Sequence, residues 1–251
     1  MIPTLRECQI LQRMNHPNII KVKDFFMTDC MEYGMDARCS QWQSEGLSWF
    51  VHGDGVHILC FKVLWFVNEQ GDYDLFHLIH RKKVKFNQEE MKCIMFQVLN
   101  GLKYLHDQKV FHRDIKGRFT FTLSRIDANI LIFKSGIVKL CDFGLARFYL
   151  KDDGNTPYSG DKITLNYRPP EILLSDTYYS SKIDIWSAGV VFVNMLMRCL
   201  YINGRSEREV LDKIFSICGS RVVFHNRLSC SERRWPAVFA LSPCVFHLLQ
   251  R

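Results

Sequence analysis

The sequence predicts an α+β fold in which short strands interrupt a run of longer helices. Three observations carry this. Apolar residues recur at helical spacing over residues 4–15 and again over residues 88–105. Short apolar runs at residues 19–26, 64–67, 130–133 and 138–141 read as strands. At 251 residues, 47% hydrophobic and 24% charged, the chain can bury a sizeable core in one domain or two small lobes.

The first predicted helix covers residues 4–15. Leu5, Cys8, Ile10, Leu11 and Met14 form its apolar stripe, Thr4 and Glu7 have capping-box spacing, and Pro17 stops it. A strand follows over 19–26. From 27 to 63 the pattern fails: Cys, Trp, Gly and charge mix without a period. A structureless connection of that length is unusual inside a compact domain, so the stretch reads as an insertion, a disordered flap or a sequence artefact. Leu64-Trp65-Phe66-Val67 resumes as a strand. Asn87 caps a second helix, with Met91, Ile94, Met95, Val98, Leu102 and Leu105 on one face. Residues 117–127 interrupt again, and the alternation of Phe119, Phe121 and Leu123 with Thr120, Thr122 and Ser124 suggests a strand or hairpin. Residues 130–133 and 138–141 flank a turn at Ser135-Gly136. The most apolar segment, 185–197, is too short to span a bilayer and suits a buried core helix. A last helix covers 209–218, closed by Gly219, and residues 221–234 are polar and irregular.

The formal net charge is +7, but Lys and Arg are spread along the chain. Its densest run, His80-Arg81-Lys82-Lys83, reads as a solvated loop, and no direct nucleic-acid or membrane partner is expected. The ten cysteines contain no C-x-x-C pair and no zinc-like Cys/His spacing. With no secretory signal at the start, a reducing compartment is expected, cytosol or nucleus, without disulfides.

Three motifs then occur in order: His112-Arg113-Asp114, Lys139-Leu140-Cys141-Asp142-Phe143-Gly144 and Tyr167-Arg168-Pro169-Pro170-Glu171. Together they supply what phosphoryl transfer needs, namely a positioned hydroxyl, metal ions on the phosphates and neutralised charge. Asp114 is the candidate base for the substrate hydroxyl, and Lys116 the cation for the transferred phosphate. Asp142 and Asn129 are candidate ligands for two Mg2+ ions. Read alone, Asp142 and Asn129 would pass for ordinary turn residues.

The resemblance these motifs carry is to eukaryotic protein kinases of the cyclin-dependent family. It extends through Thr4-Leu5-Arg6-Glu7, Asn15-His16-Pro17-Asn18-Ile19-Ile20, Asp72-Tyr73-Asp74-Leu75, Ile163-Thr164-Leu165 and Asp184-Ile185-Trp186-Ser187. Pro169-Pro170, Ile217-Cys218-Gly219-Ser220 and Trp235-Pro236 are most similar to the transcription-associated branch. The resemblance implies a kinase-like two-lobed fold. Residues 1–71 would form a partial N-lobe, with an insertion at about 27–63. Residues 72–251 would form a mostly helical C-lobe, with insertions at about 117–127 and 221–234. It also implies ATP and Mg2+ as cofactors, a cyclin as partner and serine or threonine of protein substrates as acceptors. For this branch the acceptors are the C-terminal repeats of RNA polymerase II, in the nucleus.

Residue by residue, the resemblance makes Glu7 the helix carboxylate that pairs with a phosphate-binding lysine. Glu69 and Gly71 offer backbone groups to adenine, Leu131 floors the pocket, and Asn68 stands at its gate. Ser159 aligns with the activation-loop phosphosite, and Arg6, Arg113 and Arg147 with the arginines that clamp its phosphate. Thr164 would touch Asp114 and Lys116, Asp184 would brace the catalytic loop, and Glu171 would pair with a later arginine. Cys141 would lie beside the nucleotide, though a thiol there reads first as a small buried hydrophobe.

The sequence also departs from the pattern. It begins at the helix of Glu7, without a Gly-rich loop or the lysine partner, and it stops before the final C-lobe helices. Fourteen residues separate Asp114 from Asn129, against four in the family motif, which predicts that Asn129 is displaced from the metal site. Asn166 and Lys162 replace residues that shape the site after the target serine. These departures predict little transfer by this chain. Its rival reading is a non-catalytic module that engages a cyclin through the helix at 4–15.

Overall fold

The computed structural model describes residues 3–33, 47–51, 57–116, 129–149, 156–159 and 163–218. Helix α1 (Pro3–Arg13) opens on a proline, whose missing N–H costs nothing in a first turn, and closes with Arg13 near its negative end. It buries Cys8, Ile10 and Leu11, and Met14 closes a further turn onto the Leu11 carbonyl at 3.2 Å. The Thr4 side chain lies outside the described residues.

Asn18 fastens the loop after α1 to the rest of the core. Its side-chain amide donates to Gln97 Oε1 at 3.0 Å and to the Val138 carbonyl at 2.8 Å. Its own carbonyl accepts the Leu140 amide at 2.9 Å. Only glycine fits beneath this loop, because a Cβ at Gly101 would lie 2.9 Å from the Asn18 oxygen.

Strands β1 (Val22–Tyr33), β2 (Leu47–Val51) and β3 (His57–Asn68) form an antiparallel sheet in the order β1-β3-β2. The register runs from Val22 opposite Asn68 to Tyr33 opposite Ile58. The two expected strands therefore extend well into the stretch that reads as patternless. Met27, Cys30 and Met31 face Leu64, Phe61 and Cys60 in the register, so apolar residues fall on both faces and no period of two appears in the sequence.

Helix α2 (Gln88–Asp107) starts at the expected Asn87 cap, which the structure completes as a capping box: the Glu90 amide donates to Asn87 Oδ1 and the Asn87 amide to Glu90 Oε2, both at 2.8 Å. It buries Ile94, Val98, Leu102 and Leu105. A second sheet joins β4 (Tyr73–Asp74), β6 (Ile130–Ile132) and β7 (Val138–Leu140), and a two-stranded ribbon joins β5 (Val110–Phe111) to β8 (Arg147–Phe148). The β6–β7 turn needs a residue at positive φ, and Gly136 supplies it at 82°.

After α3 (Pro170–Leu173), helix α4 (Lys182–Met197) is buried on nearly all sides through Ile183, Trp186, Val190, Val191, Phe192 and Met195. Helix α5 (Glu207–Cys218) comes next, tied back by an Arg168–Glu207 ion pair. A smaller cluster of Phe111, Tyr149, Tyr158 and Tyr179 packs apart from the main core. No helix among the described residues is long and apolar enough to cross a membrane. The expected hairpin at 119–123, Lys162, the Gly219 stop and the irregular 221–234 stretch lie outside the described residues.

Glu171 in α3 is buried, and its Oε2 finds no hydrogen-bond partner among the described residues. Burial raises its pKa to about 7, with the Asp176 charge adding to the shift and its own backbone amide opposing it. A carboxyl raised in the folded state contributes stability fully present below its ordinary value near 4.5, and that stability is lost as pH rises through about 7. Glu171→Gln is expected to remove this loss, gaining on the order of 3 kcal/mol at pH 8 and almost nothing at pH 4. Urea unfolding at the two pH values checks it.

Candidate active site

The segment that carries Asp114 is held from below by Asp184 in α4. Asp184 Oδ2 accepts the His112 amide at 2.9 Å, Oδ1 accepts the Arg113 amide at 2.8 Å, and the His106 ring donates to Oδ2 at 2.9 Å. These bonds hold Arg113 in the left-handed region at φ 65°, a conformation that a non-glycine residue keeps only when its surroundings fix it. The His112 ring tilts against Phe143 at 4.9 Å. Its Nδ1 accepts the Asp114 amide at 3.3 Å, which leaves Nε2–H to donate to the Cys141 carbonyl at 3.2 Å. The Asp114 segment is thereby locked to the Asp142 segment.

Three donors fix the Asp114 carboxylate. Lys116 Nζ lies 2.5 Å and Asn129 Nδ2 2.9 Å from Oδ2, and Thr164 Oγ1 donates to Oδ1 at 3.0 Å. Asn129 Nδ2 also reaches the Asp114 carbonyl at 2.5 Å. The expectation that Asn129 is displaced is therefore corrected. The Asn129 amide donates to the Lys116 carbonyl at 3.2 Å, so the chain between them leaves and returns through one narrow neck. Closing such a loop costs little more than closing a short one.

Asn129 and Asp142 sit at the same end of the β6–β7 hairpin. Ile130 pairs with Leu140, and the Cys141 amide donates to the Asn129 carbonyl at 3.0 Å. The Asn129 side-chain nitrogen gives both its bonds to Asp114, which turns the amide oxygen away from it. Asp142 is exposed at φ 63°. An amide oxygen and a carboxylate at neighbouring strand ends are hard donors that suit Mg2+, which takes few protein ligands and fills its shell with water and phosphate oxygens. Among the described residues no three His, Cys, Asp or Glu side chains cluster as a closed metal cage.

Glu7 approaches from α1. A Cβ built on Gly144 would lie 3.4 Å from Asp142 Oδ1 and 3.7 Å from Glu7 Oε2, so both carboxylates lean over this glycine. Burial first, and then the Asp142 charge, raise the Glu7 pKa to about 7 against the opposing Phe143 amide. Among the described residues no cation offsets this. Burial pushes the Cys141 thiol up to about 12, with the charges of Asp142 and Asp74 adding to it, so the thiol is protonated and unreactive.

Gly71 closes onto Leu131 of β6: a Cβ there would meet Leu131 Cβ at 2.9 Å. Asn68 is exposed at the end of β3. Arg6, Arg113 and Arg147 converge. Burial lowers the Arg6 pKa, and the charges of Arg113 and Arg147 lower it further. Arg113 donates to the Leu145 carbonyl at 2.7 Å and to the Ser159 carbonyl at 3.2 Å, and Arg147 lies over the Tyr158 ring at 5.0 Å. Ser159 is exposed beside them. Tyr179, to which the sequence assigns no role, also holds the Ser159 carbonyl, at 2.7 Å. Neither spacing nor motif marks it, because it acts through a fold contact twenty residues away.

The chain matches the model of the protein kinase domain over residues 2–251. It is 35% identical to cyclin-dependent kinase C-1 of Arabidopsis thaliana over 94% of this chain and 40% of that protein. It is 34% identical to cyclin-dependent kinase 12 of Drosophila melanogaster over 100% of this chain and 18% of that protein. The chain thus spans less than half the length of these relatives. Among solved structures it resembles a chain of the yeast RNA Pol II CTD kinase CTDK-1 complex, with a TM-score of 0.62 and 31% identity over 87% of this chain and 57% of that one.

Proposed function

The chain belongs to the protein kinase family and its relatives are cyclin-dependent kinases, and on that premise we propose that it transfers the γ-phosphate of ATP to serine or threonine hydroxyls of protein substrates. The observation that carries this is the Asp114 carboxylate, fixed by Lys116, Asn129 and Thr164 at the hairpin end that also bears Asp142. Asp114 orients the substrate hydroxyl and accepts its proton. Lys116 offsets charge on the transferred phosphate, and Thr164 holds Asp114 toward the substrate. Asn129 and Asp142 would hold Mg2+, which supplies charge neutralisation on the phosphates when bound. Backbone groups of Glu69 and Gly71 would meet adenine over Leu131. Arg6, Arg113 and Arg147 would hold a phosphate on Ser159 and so order the segment that carries Thr164.

A cyclin is the partner, docking on the α1 side, and the resemblance to a CTD kinase supports polymerase C-terminal repeats as substrate and the nucleus as location. Transfer of labelled γ-phosphate to a serine-containing peptide, with a cyclin present, tests the reading. Label that requires Mg2+ and Asp114 supports it, and absence of label under all conditions contradicts it.

The Glu7 carboxylate, without a cation among the described residues, favours a second reading: a cyclin-binding module that does not catalyse. Cyclin capture without any nucleotide binding would select that reading.

A further inference from the structure

An ion pair joins the end of β3 to the strand that leads to Asp142, and the phosphoryl-transfer chemistry gives it no role. Lys139 Nζ lies 2.5 Å from Glu69 Oε1, with the two side chains only 14% and 22% exposed. The same Glu69 oxygen accepts the Lys21 amide at 2.8 Å, and the Glu69 amide donates to the Lys21 carbonyl at 3.2 Å. Burial alone would raise the Glu69 pKa. The Lys139 hydrogen bond and the Lys21 amide outweigh it and hold the carboxyl below its ordinary value, so Glu69 is ionised at neutral pH.

The register shows where this pair points. Lys139 stands directly opposite Leu131, and directly opposed residues share a sheet face. Cys141, two residues on, falls on that face as well. Lys139 therefore leaves the hairpin on the same face as Leu131, and its far end meets the residue whose backbone begins the β3–β4 connection. Asp142 lies three residues further along, roughly 10 Å at strand rise.

We propose that Glu69 and Lys139 are positioning residues that fix the adenine end of the nucleotide site at a set distance from its metal end. This rests on the proposed nucleotide site, in which the Glu69–Gly71 backbone meets adenine and Asp142 meets Mg2+. One partner is clamped to Lys21 and cannot follow a sliding hairpin; the other grows from the hairpin itself. Asp72, further along the β3–β4 connection, accepts the Lys134 amide at 2.8 Å, and β4 pairs with β6, so without the ion pair it is the Glu69–Gly71 stretch that loses its side-chain tie to the hairpin and that the nucleotide must order on binding, which weakens affinity.

The test is an equilibrium titration of fluorescent mant-ATP with Mg2+ into the full chain. The proteins compared are wild type, Glu69→Gln, Lys139→Met, the double variant and Lys139→Arg. Glu69→Gln keeps an oxygen for the Lys21 amide and removes only the charge. Each neutral single variant is expected to bind about tenfold more weakly, the double no more weakly than either single, and Lys139→Arg like wild type. In transfer assays the loss should fall on the KM for ATP and spare kcat. Neutral variants that bind mant-ATP as wild type does, while only their melting temperature falls, show a merely structural pair and overturn the inference, leaving the kinase reading intact. Wild type that binds no Mg–mant-ATP overturns both. Should Lys139→Met not fold, Glu69→Gln carries the same comparison.

Discussion

Asp184→Ala is expected to destabilise the fold by about 3–5 kcal/mol, because it strands several buried donors at once. The carboxylate is 1% exposed and receives the His112 and Arg113 amides and the His106 ring. The two amides are buried and cannot turn toward water, and Arg113 would be left in its left-handed conformation without the bond that holds it. For a chain of this size the loss corresponds to a fall in melting temperature of about 10 °C, and calorimetry at pH 7 checks it. The pH dependence has a definite sign. Burial alone would raise the Asp184 pKa, but its hydrogen bonds outweigh burial and hold it low. The stabilisation is therefore present above the ordinary aspartate value and is lost as pH falls. The gap between wild type and Asp184→Ala should narrow in acid. Asp184→Asn, which keeps one acceptor, should fall between them.

Asp114→Asn is expected to lower peptide phosphorylation by about 10²–10⁴-fold, the usual worth of a positioned acid–base group. The substitution keeps shape and changes chemistry. An amide in place of Oδ2 would point N–H groups at Lys116 Nζ and Asn129 Nδ2, both of which are donors. The side chain must either turn over, so that its N–H donates to Thr164 Oγ1 and that bond reverses, or push Lys116 away. Mg–nucleotide affinity should change little, since the proposed role of Asp114 is toward the substrate hydroxyl and not the nucleotide. Equal peptide turnover by the variant and wild type would remove Asp114 from the base role. The prediction applies whatever the absolute rate.

Much of the fold was readable because local signals and packing agree. Asn87 and Glu90 cap α2 through side-chain chemistry that any sequence window shows, and Ser135-Gly136 marks the β6–β7 turn. The strands beyond Phe26 were not readable, because a ribbon with apolar residues on both faces carries no alternation. The site divides in the same way. Asp114, Asp142 and the arginines stand in motifs. That Asn129 still reaches Asp114 depends on a loop neck formed by two backbone groups, Lys116 and Asn129, that no motif records. Lys139 sits inside the most legible motif of the chain, yet its partner lies seventy residues away, just past the end of β3, beyond the reach of any local pattern.

A calorimetric titration of a non-hydrolysable ATP analogue, with and without Mg2+, into wild type and Asp142→Ala tests the central claim most directly. Saturable, Mg2+-dependent binding by wild type that disappears in Asp142→Ala is the predicted result. Wild-type protein that gives no Mg2+-dependent heat, or an Asp142→Ala variant that binds equally well, would contradict it.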